Sequence, residues 1–321
     1  MAIYDIDGNA IGGGAVFDVK DFGAKGNGTA NDASAIQSAL NACNTAGGGT
    51  VFFPTGTYLI KTQLFCYSNQ IIDLNGSTIL QGDSISNLLM GYCNTTIGAY
   101  DGCHDVIVQN GTFDGGTYTT NNTLVGFIHS KDITFRNCAF VNAYGTWHNV
   151  EVCACYNVLF DNCYFEGARK TAAQGEMLQI DGHANQGTWP WANTGTIDNT
   201  PCSHIEVRSC LFVSGVSAPC IGNHSTYGEA SHTDNHIRIH DCKFIDVTGS
   251  SPAVNMQGGY DIDIYDNTFI NCVNCVRQAT SASYPTFVHD NRFESVTSPY
   301  PSWTGSGVIA YNNLVDGSLV A

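Results

Sequence analysis

The chain has 321 residues, with 12 Lys and Arg against 28 Asp and Glu, a formal net charge of −16 and only 12% charged residues. That length can bury a large core as one all-β domain, and the acidic balance excludes a nucleic-acid partner, since phosphate neutralisation needs clustered Lys and Arg. No apolar run approaches the roughly 18 residues that span a bilayer, so no membrane partner is expected.

The leader, residues 1–16, lacks the basic region and apolar stretch of a secretory signal. An intracellular, virion-associated or extracellular location is therefore left open, the last with the signal absent from this chain. A single domain is expected over 17–321. Its opening, FDVKDFGAKGNGTANDASAIQSALNAC (17–43), predicts a helix with Asn31 and Asp32 at its start. Ala35, Ile36, Ala39, Leu40 and Cys43 form its apolar stripe. The helix, followed by GGGTVFFPTGTYLI (47–60), would cap an end that otherwise exposes core and sheet edge.

From residue 105 a repeat dominates. Seven segments align, ending at Phe113, Phe140, Phe165, Phe212, Phe244, Phe269 and Phe293. Each starts with a residue such as Asp105, Asp132, Asn157, His204, His236 or Asp261 and alternates apolar and polar residues, and the last six carry Cys or Asn two places before Phe. Period-two alternation is a strand signal, and the Asn/Asp clusters are turn signals. The phenylalanines are 27, 25, 47, 32, 25 and 24 residues apart, so two of the coils carry insertions. A period near 25 without a helical pattern predicts an all-β, single-stranded parallel β-helix. Its stacked coils would place Phe, Cys138, Cys163, Cys210, Cys242, Asn267 and Asn291 in inward ladders. Most of the 14 cysteines are accordingly read as buried free thiols rather than disulfides. Zinc-type pairing is missing, and no metal site is expected.

The strings at 17–60 resemble the N-terminal signature of the pectate-lyase-like superfamily of right-handed parallel β-helices. Glycoside hydrolase family 28-related proteins and phage tailspike depolymerases belong to that group. The coil repeat extends the resemblance to about residue 315, and the leader is similar to segments that precede enzymatic domains in phage tail proteins. The resemblance implies a carbohydrate-active protein with a polysaccharide or oligosaccharide substrate, and it allows a homotrimer. The polygalacturonase motifs Asn-Thr-Asp, Asp-Asp, Gly-His-Gly and Arg-Ile-Lys are absent, so the site is argued from the residues themselves.

The inserted coils hold the best candidates, because loops on a rigid scaffold carry function. If Leu178 and Ile180 point inward, Gln179 and Asp181 point outward, with Glu176 at the strand's start. Placing Val150 and Val152 beneath Leu178 and Ile180 puts His148 beneath Glu176 and Glu151 beneath Gln179. Later coils would add Asn223 or His224, then Asn255 and Gln257, then Arg277. The expected result is an outward polar column flanked by Trp147, Trp189 and Trp191. Aromatic faces beside carboxylates and amides suit a sugar chain.

Glycoside hydrolysis needs one protonated and one ionised carboxyl group. Glu176 and Asp181 are the expected pair, Glu151 the substitute. His148 and His224 would tune proton affinity, while Gln179, His183 and Asn223 bind substrate. Asp101 and Asp114 are lesser alternatives, and His236 and His240 read as ordinary surface positions of the repeat. A polysaccharide lyase is the alternative, with His148 or His224 as base and Arg169 or Arg277 as neutraliser. Arg169, Lys170 and Arg277 are the basic residues near this surface, and calcium enters only in the lyase case. The −16 charge favours a neutral glycan and hydrolysis. A non-catalytic glycan-binding or structural tail protein is the third reading.

Overall fold

The computed structural model describes residues 3–4, 10–11, 14–167, 169–170, 175–184, 195–215, 218–223, 234–279, 286–300, 303–304 and 308–320. It is a right-handed parallel β-helix with one helix among the described residues, Ala33–Thr45. Asp32 stands at the N-cap but its side chain does not cap. Its carboxylate turns back to accept the Lys25 and Gly26 amides at 2.7 and 3.0 Å, which pins the preceding loop. Ala33, Ile36, Ala39, Leu40 and Cys43 face the first coils and close that end of the core, with Ala35 only partly covered.

Each coil contributes a short strand to a nine-stranded parallel sheet that runs from Leu64–Cys66 to Trp303–Thr304. Two further strands per coil, such as Tyr156–Asp161 and Tyr164–Glu166, stack into the second, larger sheet. The corners between them use left-handed residues, for example Asn137, Asn162 and Asp266 with φ near 52°. Asn and Asp tolerate that conformation because their short side chains bond nearby groups. On the outside, Asn162 Nδ2 donates to Asn137 Oδ1 at 2.8 Å and Asn137 Nδ2 to Asn110 Oδ1 at 3.1 Å.

Inside, the repeat becomes two ladders. Phe140, Phe165, Phe212, Phe244, Phe269 and Phe293 stack with centroids 4.5 to 5.1 Å apart. Beside them, cysteine and asparagine perform the same task. Cys163 N–H meets Cys210 Sγ and Cys210 N–H meets Cys242 Sγ, both at 3.4 Å. Cys242 N–H donates to Asn267 Oδ1, and Asn267 N–H to Asn291 Oδ1, both at 3.0 Å. Each thiol also points back at a carbonyl of the preceding coil, Cys210 at Phe160 O and Cys242 at Val207 O. Asn267 Nδ2 does likewise to Ile239 O. All 14 cysteines are buried and free. No described helix is long and apolar enough to cross a membrane.

Candidate active site

The strand Val150–Cys153 pairs with Leu178–Asp181 as Val150 with Leu178, Glu151 with Gln179, Val152 with Ile180 and Cys153 with Asp181. Alternation therefore sends the two Val, Leu178 and Ile180 into the core and Glu151, Gln179 and Asp181 to the other face. The row through Glu151 and Gln179 continues into Gly222, Asn255 and Arg277. The register expected from sequence is the observed one for these two strands, but in the next coil Gly222 holds the place expected for Asn223 or His224. The exposure differs as well.

Glu176, Gln179, Asp181, Glu151 and His148 are all buried, Glu176 at 0% and His148 at 7% exposure. The outer face of this sheet is roofed over by connecting segments. Met90, Cys93, Ile128 and Cys153 form an apolar cluster there, with Phe65 and Ile97 packed on it. Thr196 N–H donates to Ile97 O at 2.6 Å, and Asp198 Oδ2 accepts Ala99 N–H at 2.7 Å, which fastens two such segments together. Alternation assigns a side chain to a face of a strand; it does not say whether that face is covered.

His148 links two carboxylates. Its Nδ1 lies 3.1 Å from the Glu176 carbonyl oxygen and 3.7 Å from Glu176 Oε2, and its Nε2 lies 3.8 Å from Glu151 Oε2. A carbonyl can only accept, so Nδ1 carries a proton, and Nε2 faces Glu151. Burial pushes the Glu151 carboxyl well above the ordinary carboxylate range, and the charges of Asp181 and Glu176 push it the same way. Lys170 is buried nearby and donates from Nζ to the Trp147 carbonyl. Burial lowers its amine to about 7, against the opposing pull of Glu176. A carboxyl group of raised proton affinity, other carboxylates, an imidazole and an amine thus converge in a largely water-excluded place, the kind of arrangement that tunes groups for proton transfer.

Of the two adjacent basic residues, sequence reasoning chose Arg169, and the structure turns it away. Arg169 donates to the carbonyls of Gly116, Asn142 and Tyr118 and stacks 5.1 Å over Tyr144, a brace across coils. Lys170 is the cation beside Glu176. No periodicity in that loop distinguishes the two neighbours. His183 is also placed differently from expectation: its Nδ1 lies 2.9 Å from His129 Nε2, in a fully buried pair. Burial, then His129, lowers the His183 ring to about 4. Asn223 donates to Asp234 Oδ2 at 3.2 Å and accepts the Gln257 amide at 2.6 Å, so it braces the next coil. Asp234, which the sequence did not single out, also accepts the Cys202 amide at 2.8 Å. Arg277 lies half-buried at the end of the row, and Trp147 is half-buried beside His148. His224, Trp189 and Trp191 lie outside the described residues. Asp114 serves a turn, accepting the Gly116 amide and the Asn142 side chain at 2.8 and 2.7 Å. Asp101 is exposed. Among the described residues no cluster of His, Cys, Asp and Glu is arranged to hold a metal ion.

A right-handed parallel β-helix closed at one end by a helix is the architecture of a pectate-lyase-like protein. The chain belongs to the rhamnogalacturonase A/epimerase, pectate lyase-like family, whose model matches residues 16–298. It is 31% identical over 239 residues to plasmin and fibronectin-binding protein A of Streptococcus pneumoniae, covering 64% of this chain and 33% of that protein. It is 31% identical over 153 residues to alginate lyase 7 of Azotobacter vinelandii, covering 45% of this chain and 18% of the relative. The chain therefore spans a third or less of these curated relatives. Among solved structures, the Streptococcus pneumoniae surface adhesin PfbA superposes with a TM-score of 0.76 at 22% identity, covering 94% of this chain and 78% of that one. The chain is thus related to polysaccharide-active enzymes and, equally, to an adhesin.

Proposed function

We propose that this chain cleaves glycosidic bonds of a polysaccharide by hydrolysis, with Glu151 as the protonated acid and Glu176 as the ionised partner. The observation that carries this reading is the divergence of environments around His148. Burial and neighbouring charge push the Glu151 carboxyl well above the ordinary carboxylate range, while Glu176 lies close enough to the Lys170 amine for the two charges to attract. Hydrolysis asks for one carboxyl group of each kind. Asp181 lies next in the same sheet, where its charge helps keep Glu151 protonated. Gln179 and Asn255, in register with the acid row, supply hydrogen bonds to sugar hydroxyls.

A second reading is β-elimination on a uronate-containing glycan. It is favoured by Lys170, whose amine near 7 suits a general base, and by the likeness to an alginate lyase. The two readings separate on a glycan panel scored for reducing ends and for the ultraviolet absorbance of an unsaturated uronate. Reducing ends without absorbance support hydrolysis, and both together support elimination. Binding with neither would leave a non-catalytic adhesin and end both enzymatic readings.

A further inference from the structure

The larger sheet carries a second feature, independent of the carboxylate cluster. At one corner of successive coils, Asp105, Asp132, Asn157, His204, His236 and Asp261 stand one above another in left-handed backbone, with φ from 51° to 58°. Four are Asn or Asp, as such a corner favours. Two adjacent coils have histidine instead.

The histidines change the chemistry of the column. Asn157 Nδ2 still donates to Asp132 Oδ1 at 2.7 Å, but the ladder stops there. His204 Nδ1 lies 2.8 Å from Ser203 Oγ, whose own proton goes to Asn235 Oδ1 at 2.6 Å. Nδ1 must therefore be the donor, and Nε2 of the neutral ring is left as an acceptor. His236 Nδ1 meets Asp261 Oδ2, which leaves its Nε2 unengaged. Burial, then His236 and Arg238, lowers the proton affinity of His204, consistent with a neutral ring.

These residues line a depression of about 320 Å³ together with Asn157, Leu159, Glu206 and Arg238. The His204 and His236 rings lie side by side in it, with centroids 4.4 Å apart, and Tyr156 packs on His204 at 4.8 Å just beyond the lining. Arg238 is already engaged by Asp261, at 2.9 Å to its carboxylate and 2.8 Å to its carbonyl. Arg208 is likewise taken up by Asp161 and Glu206. Among the described residues, His204 Nε2, His236 Nε2, Asn157 Oδ1 and Glu206 Oε2 make no hydrogen bond. The hollow therefore offers unused acceptors on Asn157 and Glu206, unengaged ring nitrogens and ring surface, and its one arginine is already paired. Such a lining fits a ligand rich in hydroxyl donors with an apolar face, and it disfavours a uronate or phosphate.

We propose that this depression is a second, non-catalytic carbohydrate-binding site that takes a neutral saccharide unit. The test uses the Glu151→Gln protein, titrated with mannohexaose, cellohexaose and hexagalacturonate. Heat of binding and the imidazole NMR signals are followed together. At least one neutral hexasaccharide should shift the His204 and His236 signals. The double variant His204→Asn, His236→Asn restores the residue type other coils use, so it should fold, and it should bind that sugar at least tenfold more weakly. Unchanged affinity in that variant overturns the proposal. So does a shift of these signals with hexagalacturonate or zinc ion but with neither neutral sugar, or no shift at all. The His148 signal reports the carboxylate cluster separately, so failure of one site is distinguishable from failure of the other.

Discussion

Glu176 occupies the space a side chain at position 222 would need: a Cβ built on Gly222 would lie 2.9 Å from Glu176 Cγ and 3.3 Å from its Oε1. A gap in the polar row is therefore what lets the carboxylate lie across it, within reach of His148.

Gly222→Ala should displace Glu176 without emptying the core. The Asn255 carbonyl, 3.1 Å from the same point, belongs to the backbone and leaves little alternative room. Turnover on the best glycan should fall at least tenfold, while the melting temperature moves by only a few degrees, about what ~1 kcal/mol produces in a domain of this size. Unchanged turnover would show that the position of Glu176 does not matter to the reaction.

Glu151→Gln and Glu176→Gln should each lower turnover by roughly 10²- to 10⁴-fold, the usual worth of a general acid or base. Both should keep native stability near neutral pH, because an amide fills the same space without a buried charge. The stability effect has a sign. The folded Glu151 pKa is raised, so its contribution is complete below the ordinary carboxylate range and is lost as pH rises toward the folded value. Urea unfolding over that range should show a downward slope with pH that is shallower in Glu151→Gln. Equal slopes would mean that Glu151 is not held neutral.

Lys170→Met removes the cation beside Glu176 while keeping an unbranched chain in the buried site. If Lys170 acts by positioning and charge, the pH–rate profile should change shape near 7 and kcat should fall more than KM rises. If Lys170 is itself the base of an elimination, product with an unsaturated uronate should vanish altogether. A variant with an unaltered pH profile would assign Lys170 to packing alone.

The equivalence of thiol and amide in the inner ladder is testable at position 210. Cys210→Ala leaves the Cys163 N–H facing no acceptor and should cost about 1–3 kcal/mol, read from denaturant midpoints. Cys210→Asn should recover most of that loss, since Asn267 makes the same pair of contacts two coils later, accepting the Cys242 N–H and donating to the Ile239 carbonyl. If Asn is as damaging as Ala, sulfur is filling space rather than bonding.

Much of this architecture is written in local order. The period near 25 residues, the closing Phe and the Cys or Asn before it are stacking positions, and stacking like on like forces one register. That is why Glu151 could be set under Gln179, and His148 under Glu176, from the sequence alone. The corners are legible as turns from their Asn and Asp clusters, and the structure adds that many of these residues are left-handed.

What tertiary structure decided was cover and company. The polar row reads as a solvent-facing column because alternation is a property of one strand, whereas cover on that face is set by segments distant in sequence, as where Ile97 packs on the cluster that includes Cys153 and is tied to Thr196. Arg169 and Lys170 are neighbours in an aperiodic loop, and only the path of that loop sends one to carbonyls of earlier coils and the other to Glu176. His183 meets His129, which lies 54 residues earlier in the chain, a contact with no trace in local spacing. The −16 charge that opened the case for a neutral glycan is a property of composition. Which carboxyl group loses its charge follows from desolvation and neighbours, and those exist only once the coils are stacked.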